Sequence, residues 1–458
     1  MATVSTLYAL VVLLLGLALL MLLTIRGKSI FVVAPACALL TVTLSGVDPV
    51  ATMSGPYLKG FSDYLRDFYL VFALGAAFGK LLEDSGAAAA IADRIGRWFG
   101  ARRACLAVVA ACAVLTYGGV SLFVVGFSVY PLAVRLFRAA DLPRRFIPAA
   151  MAFGSVTFTM TSAGSPEIQN LIPIKHLIDA QTLTPLTDAR AGWPASLVVA
   201  LGMFAAGQWY LERALRRAVA SGERWEDRDR DAPAREASEG SPAAPSFLAA
   251  ILPLGVTLAS LNLLPLTQRW TSIPEDPNLA IFLGIVAALV CLPRSRQTAW
   301  SGLGEGFVNG LIAIGATASV VGFGASVKGL PAFQQIVAWV TKIPGDPLVG
   351  AAIAVAVIAA IAGSASGGQG IALPILKPIY VDQLGVAPRA LHRVVAISSG
   401  TLDSLPANGY VVMLVRNICG ETHERAYGPI FVTTVVIPLV GAAAAIGLFK
   451  LFPAWATM

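Results

Sequence analysis

The stretch TLDSLPANGYVVML, Thr401–Leu414, puts an ionisable Asp403, a Pro406 and the polar pair Asn408-Gly409 inside an otherwise apolar segment. In a water-soluble domain this would be a surface loop, so its meaning depends on the solvent. The chain has 458 residues, 57% hydrophobic and 13% charged, with a mean hydropathy of +0.74. Ordinary soluble domains carry roughly 25% charged residues. Apolar runs from Leu7 to Thr24, Ile30 to Leu44, Leu197 to Tyr210 and Tyr427 to Leu451 reach or approach the ~18 to 20 residues that cross about 30 Å of hydrocarbon as a helix. The composition is that of an all-α polytopic membrane protein. At mid-membrane, a proline and a carboxylate persist only where protein or a water-filled cavity receives them.

The net charge of +7 arises largely from basic residues beside apolar runs: Arg26 and Lys28; Arg94, Arg97, Arg102 and Arg103; Arg135, Arg138, Arg144 and Arg145; Arg294 and Arg296. The positive-inside rule places these in the cytoplasm and makes a nucleic-acid partner unnecessary. The first run has no basic residue ahead of it and no small-residue cleavage site behind it, so it is read as a retained span. A hydrophilic stretch from Glu212 to Ser241 mixes both signs without apolar period. It anchors a cytoplasmic linker, 212–245, between a first repeat, 1–211, and a second, 246–458. Cys37, Cys105, Cys112, Cys291 and Cys419 are scattered with no CxxC pairing and are read as core filler, with neither disulfide nor zinc implied. No HExxH, GxSxG or Walker-type stretch occurs, so neither an enzyme nor a cofactor is expected.

The two halves share one plan. Lys80 closes FALGAAFGK, an amphipathic stretch follows, and Gly119 of TYGGVS comes 39 positions after the lysine; Lys328 closes VGFGASVKG and precedes Gly368 of GSASGGQG by 40. Pro143-Arg144 precedes Gly164 of TSAGSPEIQN by 21 positions, and Pro388-Arg389 precedes Gly409 by the same 21. Five full spans per half and a linker inside the cell start the second half from the opposite side, which makes an inverted repeat, the plan of many secondary transporters. The Gly-rich runs read as re-entrant hairpins, 106–134 with its tip at Tyr117-Gly118-Gly119 and 348–380 with its tip at Gly363 to Gly368. The alternative for each is one long, Gly-kinked span.

The opening segment then reads as one of two broken spans. In 389–417 a helix runs from Arg389 to Ser404, Pro406 interrupts it, Gly409 tolerates the break, and the helix resumes from Tyr410. In 145–178 a helix runs from Arg145 to Thr161, unwinds at Ser162-Ala163-Gly164-Ser165 and resumes at Pro166, with Glu167 in the opening turn. Two breaks and two hairpin tips near the midplane offer free N–H groups at helix N-termini to an anionic solute.

These residues carry a resemblance. SSGTLDSLPANG, TSAGSPEIQNLIP and SASGGQGIALP together resemble the gluconate:proton symporter (GntP) permease family of the ion transporter superfamily, over about Phe61 to Leu439. The resemblance implies a homodimer in the bacterial inner membrane, a scaffold holding a mobile unit that works as an elevator, and substrates such as gluconate, other sugar acids or 3-hydroxybutyrate. The chain departs from it at Ala407, where the family pattern often has a His between the proline and the asparagine.

Substrate contact is expected at Gly118, Gly119, Ser162, Gly164, Ser165, Gln169, Asn170, Ser364, Ser366, Gly367, Gly368, Thr401, Ser404, Asn408 and Gly409, and proton coupling at Asp403 and Glu167. Each has a plainer alternative. Asp403 or Glu167 can cap a half-helix, and Gln169 and Asn170 can satisfy exposed backbone. Sodium is the alternative to a proton, since carbonyls, hydroxyls and a carboxylate are also hard-cation ligands. His176, His392 and His423 lie outside the breaks and read as interfacial or loop residues, with a proton relay as the alternative, and Arg144 and Arg389 read as snorkelling anchors. Gly302, Gly306 and Gly310, spaced by four, read as a close helix contact in the scaffold or the dimer interface.

Overall fold

The computed structural model describes residues 6–26, 28–120, 122–226, 245–267, 277–333, 335, 345–362, 364–406 and 408–458. The chain is helical, and the β-pairing among these residues is one isolated bridge, Ile178 with Pro185. The amphipathic stretch after Lys328 and the tip residue Gly363 fall largely or wholly outside the described residues, as does Ala407.

The scaffold is built on glycine. Helices α1 (Thr6–Ile25) and α2 (Ile30–Leu44) pack together, and α2 also lies against the long α12 (Ala299–Lys328). Helix α3 (Leu58–Asp84) pairs along its length with α12 (Ala299–Lys328). A methyl added at Gly302 would meet Leu81, at Gly306 Ala77, at Gly310 Ala73, and at Gly322 Tyr57. Numbers rise along α12 as they fall along α3, so the pair is antiparallel. The Gly302-Gly306-Gly310 contact is thus internal to the chain, and small residues let the two backbones approach closely. Lys80 fixes the register through Asp84 at 2.9 Å and Glu305 at 3.3 Å.

Helix α4 (Ala87–Phe99) buries Ala88, Ile91, Ala92 and Ile95 and exposes Arg94, Arg97 and Trp98. At Gly100, whose φ is +67°, the chain turns through 99° into α5 (Ala104–Tyr117). After Gly118 to Val120 the chain returns as α6 (Leu122–Ala139). Arg135 near the end of α6 pairs with Asp93 of α4. The second half holds α13 (Pro347–Ala362) and α14 (Ala365–Leu376). These cross closely, a methyl on Gly368 falling 2.4 Å from the Ala359 Cα.

Both interrupted helices open earlier than the sequence suggests. The first runs through α7 (Ile147–Ala152) and a wider π turn, Phe153–Thr157, then unwinds until α8 (Ile168–His176). Regular helix therefore ends four residues before Thr161, and Glu167 stands at the N-cap, not in the first turn. Local hydroxyls help undo the turn: Thr161 Oγ1 donates to the Thr157 carbonyl at 3.2 Å and Ser162 Oγ to that of Phe158. Later come α9 (Trp193–Ala220), α10 (Phe247–Thr267) and α11 (Pro277–Cys291). The second broken helix, α15 (Pro388–Ser399), ends five residues short of the expected Ser404. It resumes as α16 (Gly409–Val412), continued by the π turn Met413–Ile418. Gly409 does not adopt a left-handed φ, so Asn408 makes this turn by capping and glycine is not required. Helices α17 (His423–Phe431) and α18 (Ile437–Leu451) close the chain.

Helix α9 extends to Ala220, so the first residues of the stretch read as linker are helical. The next six form a strap over the ends of the hairpin and the first broken helix. Arg145 grips Glu223 at 2.7 and 2.8 Å, Arg224 reaches Asp141 at 3.3 Å, and Arg425 reaches Glu226 at 3.0 Å. Arg144, expected to snorkel, is instead buried, donating to the Cys419 carbonyl at 3.0 Å and lying 3.7 Å from Glu421. The hydrogen bond from Arg145 holds the Glu223 carboxyl below its ordinary range. Its folded pKa is depressed, so this pair's stabilisation is present above the unfolded carboxylate pKa and is lost as pH falls through the lowered value. Glu223→Gln is expected to lower stability in detergent melts by at most about 1 kcal/mol, an effect that shrinks with added salt.

Candidate functional site

The first break is held by three other elements. Tyr117 at the end of α5 donates its hydroxyl to the Ala163 carbonyl at 2.8 Å, and Asn262 of α10 donates to the Gly164 carbonyl at 2.9 Å. The Ala163 N–H donates to Ser196 Oγ at 2.8 Å and the Gly164 N–H to the Ala189 carbonyl at 2.8 Å. Non-helical backbone in a membrane needs such partners. Gly164 has φ of +82°, and a methyl there would lie 2.6 Å from Asn262 Oδ1. Gly119 has φ of +91°, with Pro166 Cγ 2.9 Å from where its methyl would sit. Hairpin tip and break therefore meet at Tyr117, Gly119, Gly164 and Pro166, while Gly118 packs on Leu254. Ser165 Oγ accepts from the Glu167 N–H at 3.3 Å. The half-buried Glu167 carboxylate forms no hydrogen bond or ion pair among the described residues.

At the second break, Asn408 Oδ1 accepts from the Val411 N–H at 3.0 Å and Nδ2 donates to Asp403 Oδ1 at 2.9 Å. The Asp403 carboxylate also faces the backbone amide of Ala365, the first residue of α14. Ser364 caps the same end, accepting from the Gly367 N–H at 3.2 Å and lying 3.1 Å from the Ser366 hydroxyl. Thr401 spends its hydroxyl on the Ser398 carbonyl at 2.6 Å, and the Ser404 carbonyl accepts from Tyr427 at 3.0 Å. The second hairpin tip and second break are joined as the first two are, here through a carboxylate.

The two breaks touch. A methyl on Gly400 would lie 3.7 Å from Thr161 Cγ2. Gln369 of α14 donates to the Gln169 carbonyl at 3.1 Å and to Ser399 Oγ at 2.8 Å. Arg393, 0% exposed, reaches from α15 into the first half and donates to the carbonyls of Thr161 and Ala191 and to Asn170 Oδ1, the last two at 2.9 Å. His392, expected outside the breaks, is also fully buried, 3.2 Å from Asn170 Oδ1 and 2.8 Å from Thr187 Oγ1. Asn170 Nδ2 donates to the carbonyls of Ser165 and Ala189 at 2.8 and 2.9 Å. With both amide hydrogens given and its oxygen accepting twice, Asn170 holds backbone in place and has no hydrogen left for a substrate hydroxyl. Arg389 pairs with Asp188, a more specific role than snorkelling.

A cavity of about 460 Å³ lies beside the first break, lined by Tyr117, Phe158, Ser162, Ala163, Trp193 and Ser196 among others. The sequence reading missed Tyr117 as a donor, Asn262, Gln369, His392 and Arg393. The available signal for the last two was HRVVAISS, a His-Arg pair on the helix that leads directly into the motif.

The architecture and the sequence both have counterparts. The fold matches the crystal structure of the Alcanivorax borkumensis YdaH transporter, with a TM-score of 0.57 over 89% of each chain at 13% identity, a likeness of fold alone. The uncharacterized transporter YxjC of Bacillus subtilis (strain 168) is 36% identical over 462 residues, covering 93% of this chain and 96% of the relative. The GntP family permease profile matches residues 8–452. A match of that extent, together with a relative similar along nearly its whole length, makes the chain a member of the GntP permease family, a membrane transporter and not an enzyme.

Proposed function

We propose that this permease is a proton-coupled symporter for a small organic hydroxycarboxylate such as gluconate or another sugar acid, with shorter acids of the 3-hydroxybutyrate type as the alternative. The observation that carries the reading is the meeting of the two interrupted helices at Gly400 and Thr161. Around that point lie the start of α8, the start of α14 and two carboxylates, Glu167 and Asp403. Helix N-termini complement an anion, and a carboxylate within the membrane suits proton passage. The antiparallel α3 and α12 pair supports an inverted-repeat scaffold past which the hairpins and broken helices travel as an elevator. A homodimer in the bacterial inner membrane completes the proposal.

The test is uptake by the reconstituted carrier under separately imposed gradients. Symport of a monoanion with one proton moves no net charge, so a pH gradient drives accumulation and voltage does not, whereas each net charge would add about 2.3 kcal/mol per 100 mV. Uptake that ignores the pH gradient sinks the proton reading. A sodium-coupled second reading draws on the buried amide oxygens of Gln169 and Gln369, which accept no hydrogen bond among the described residues and are of the type hard cations bind. Loss of uptake on replacing sodium by choline at constant pH would select it.

A further inference from the structure

We infer that Arg393 is a positioning residue of the anion site, holding the first break unwound and leaving beside it a positive charge that forms no ion pair with a carboxylate among the described residues. The inference rests on the transport reading for its second half only.

Arg393 Nε donates to the Ala191 carbonyl, Nη1 to that of Thr161, and Nη2 to Asn170 Oδ1 and, at 3.4 Å, the Ala189 carbonyl. All four acceptors are neutral. Among the described residues no carboxylate lies within ion-pair distance of the guanidinium. Asp188 is bound by Arg389 and lies 3.6 Å from Arg190. The neighbouring imidazole adds no compensating charge. Asn170 Oδ1 can only accept, so the facing His392 Nε2 carries the hydrogen, and Nδ1 is then free to accept from the Thr187 hydroxyl. The orientation of Asn170 is itself fixed, because the guanidinium requires an acceptor and the carbonyls of Ser165 and Ala189 require donors.

The Thr161 carbonyl explains the positioning. In a continuous helix it would accept from the Ser165 N–H four residues on. Here Arg393 takes it, and the Ser165 N–H bonds to the Ser162 carbonyl at 3.3 Å instead. A side chain of the second half thereby prevents the first half from winding through its break. A cation at the carbonyl end of a helical segment is also favourably placed with respect to the peptide dipoles. Lysine can keep the charge but not the planar fork that spans several carbonyls at once.

The decisive experiment compares Arg393→Lys and Arg393→Gln in two measurements on the full-length carrier. Hydrogen exchange of the amides across 158–167 reads the positioning and is independent of any substrate. Concentration-dependent uptake of gluconate and of 3-hydroxybutyrate reads the charge. Both variants are expected to exchange faster across this segment with protection unchanged in α3 and α12. Arg393→Gln is expected to raise KM by about tenfold or more while maximal rate falls less, and Arg393→Lys to recover most of the affinity, since an uncompensated charge in a poorly solvated site acts over several ångströms. A purely structural role would reduce folded protein and maximal rate together and leave KM alone. Unchanged exchange in Arg393→Lys overturns the positioning, and this variant decides the matter if Arg393→Gln does not fold. Equal KM in wild type and Arg393→Gln, or equal losses in Gln and Lys, overturns the role of the charge. If the wild type takes up no organic anion, the transport reading falls while the exchange result still decides whether Arg393 holds the break.

Discussion

Asp403→Asn should reduce uphill accumulation of substrate in vesicles to the level of equilibration while substrate exchange continues at a reduced rate. For coupling by one proton, each unit of pH gradient is worth about 1.4 kcal/mol, or about tenfold accumulation of a monoanion. Removing the titrating group forfeits all of that gain but not the pathway. The substitution is nearly isosteric, and the amide oxygen still accepts from Asn408 Nδ2, now at 2.9 Å from Asp403 Oδ1. It no longer presents a negative charge to the Ala365 amide at the start of α14. The hairpin is therefore held less firmly to the break, which accounts for slower exchange. Uphill uptake at the wild-type ratio would remove Asp403 from the coupling role. Glu167, with no partner among the described residues, would then be the carboxylate to test next.

What was legible in the sequence had a local physical cause. Pro406 and Asp403 cannot sit in a continuous lipid-facing helix, so a break beside Pro406 is legible in Thr401–Leu414 alone, although the helix before it already ends at Ser399. Gly119 and Gly164 mark a hairpin tip and a break in the sequence, and both adopt a left-handed φ in the structure. The edges of the breaks were less accessible. The helix before Thr161 ends early because Thr161 and Ser162 turn their hydroxyls on preceding carbonyls and because Arg393, 232 residues away, claims the Thr161 carbonyl. Propensity cannot report a donor from the other half of the chain. The same limit concealed His392 and Asn170: an Asn in a candidate site can equally bind a ligand or hold backbone, and only its four partners decide between them. Gly409 misled in the opposite sense, since its neighbour Asn408 makes the cap and the glycine is merely the first residue of the next helix.

Gly306→Val should be the most destabilising single change in the scaffold, and Gly304→Ala, two residues away, should be harmless. Even the Cβ of residue 306 would fall 2.3 Å from the Ala77 Cα, a backbone atom that cannot rotate aside, and at Gly310 the corresponding approach to the Ala73 Cα is 2.6 Å. No atom outside the helix lies within 4 Å of the same position on Gly304. Overpacking a tight contact costs about 1 to 3 kcal/mol, and valine adds two methyl groups beyond the alanine for which these distances hold. Gly304→Ala removes the entropic penalty of glycine in a helix, a gain of about 0.5 to 1 kcal/mol. Melting in detergent should order the proteins Gly304→Ala, wild type, Gly306→Ala, Gly306→Val, from most to least stable. Equal melting of Gly306→Ala and Gly304→Ala would show that α3 and α12 do not approach along this face. If they do, splaying them also disturbs the Lys80 bridge to Glu305, which joins the same two helices one turn away. Loss of transport in Gly306→Val should accordingly track loss of folded carrier, whereas in Asp403→Asn the folded carrier remains and only the coupling is gone.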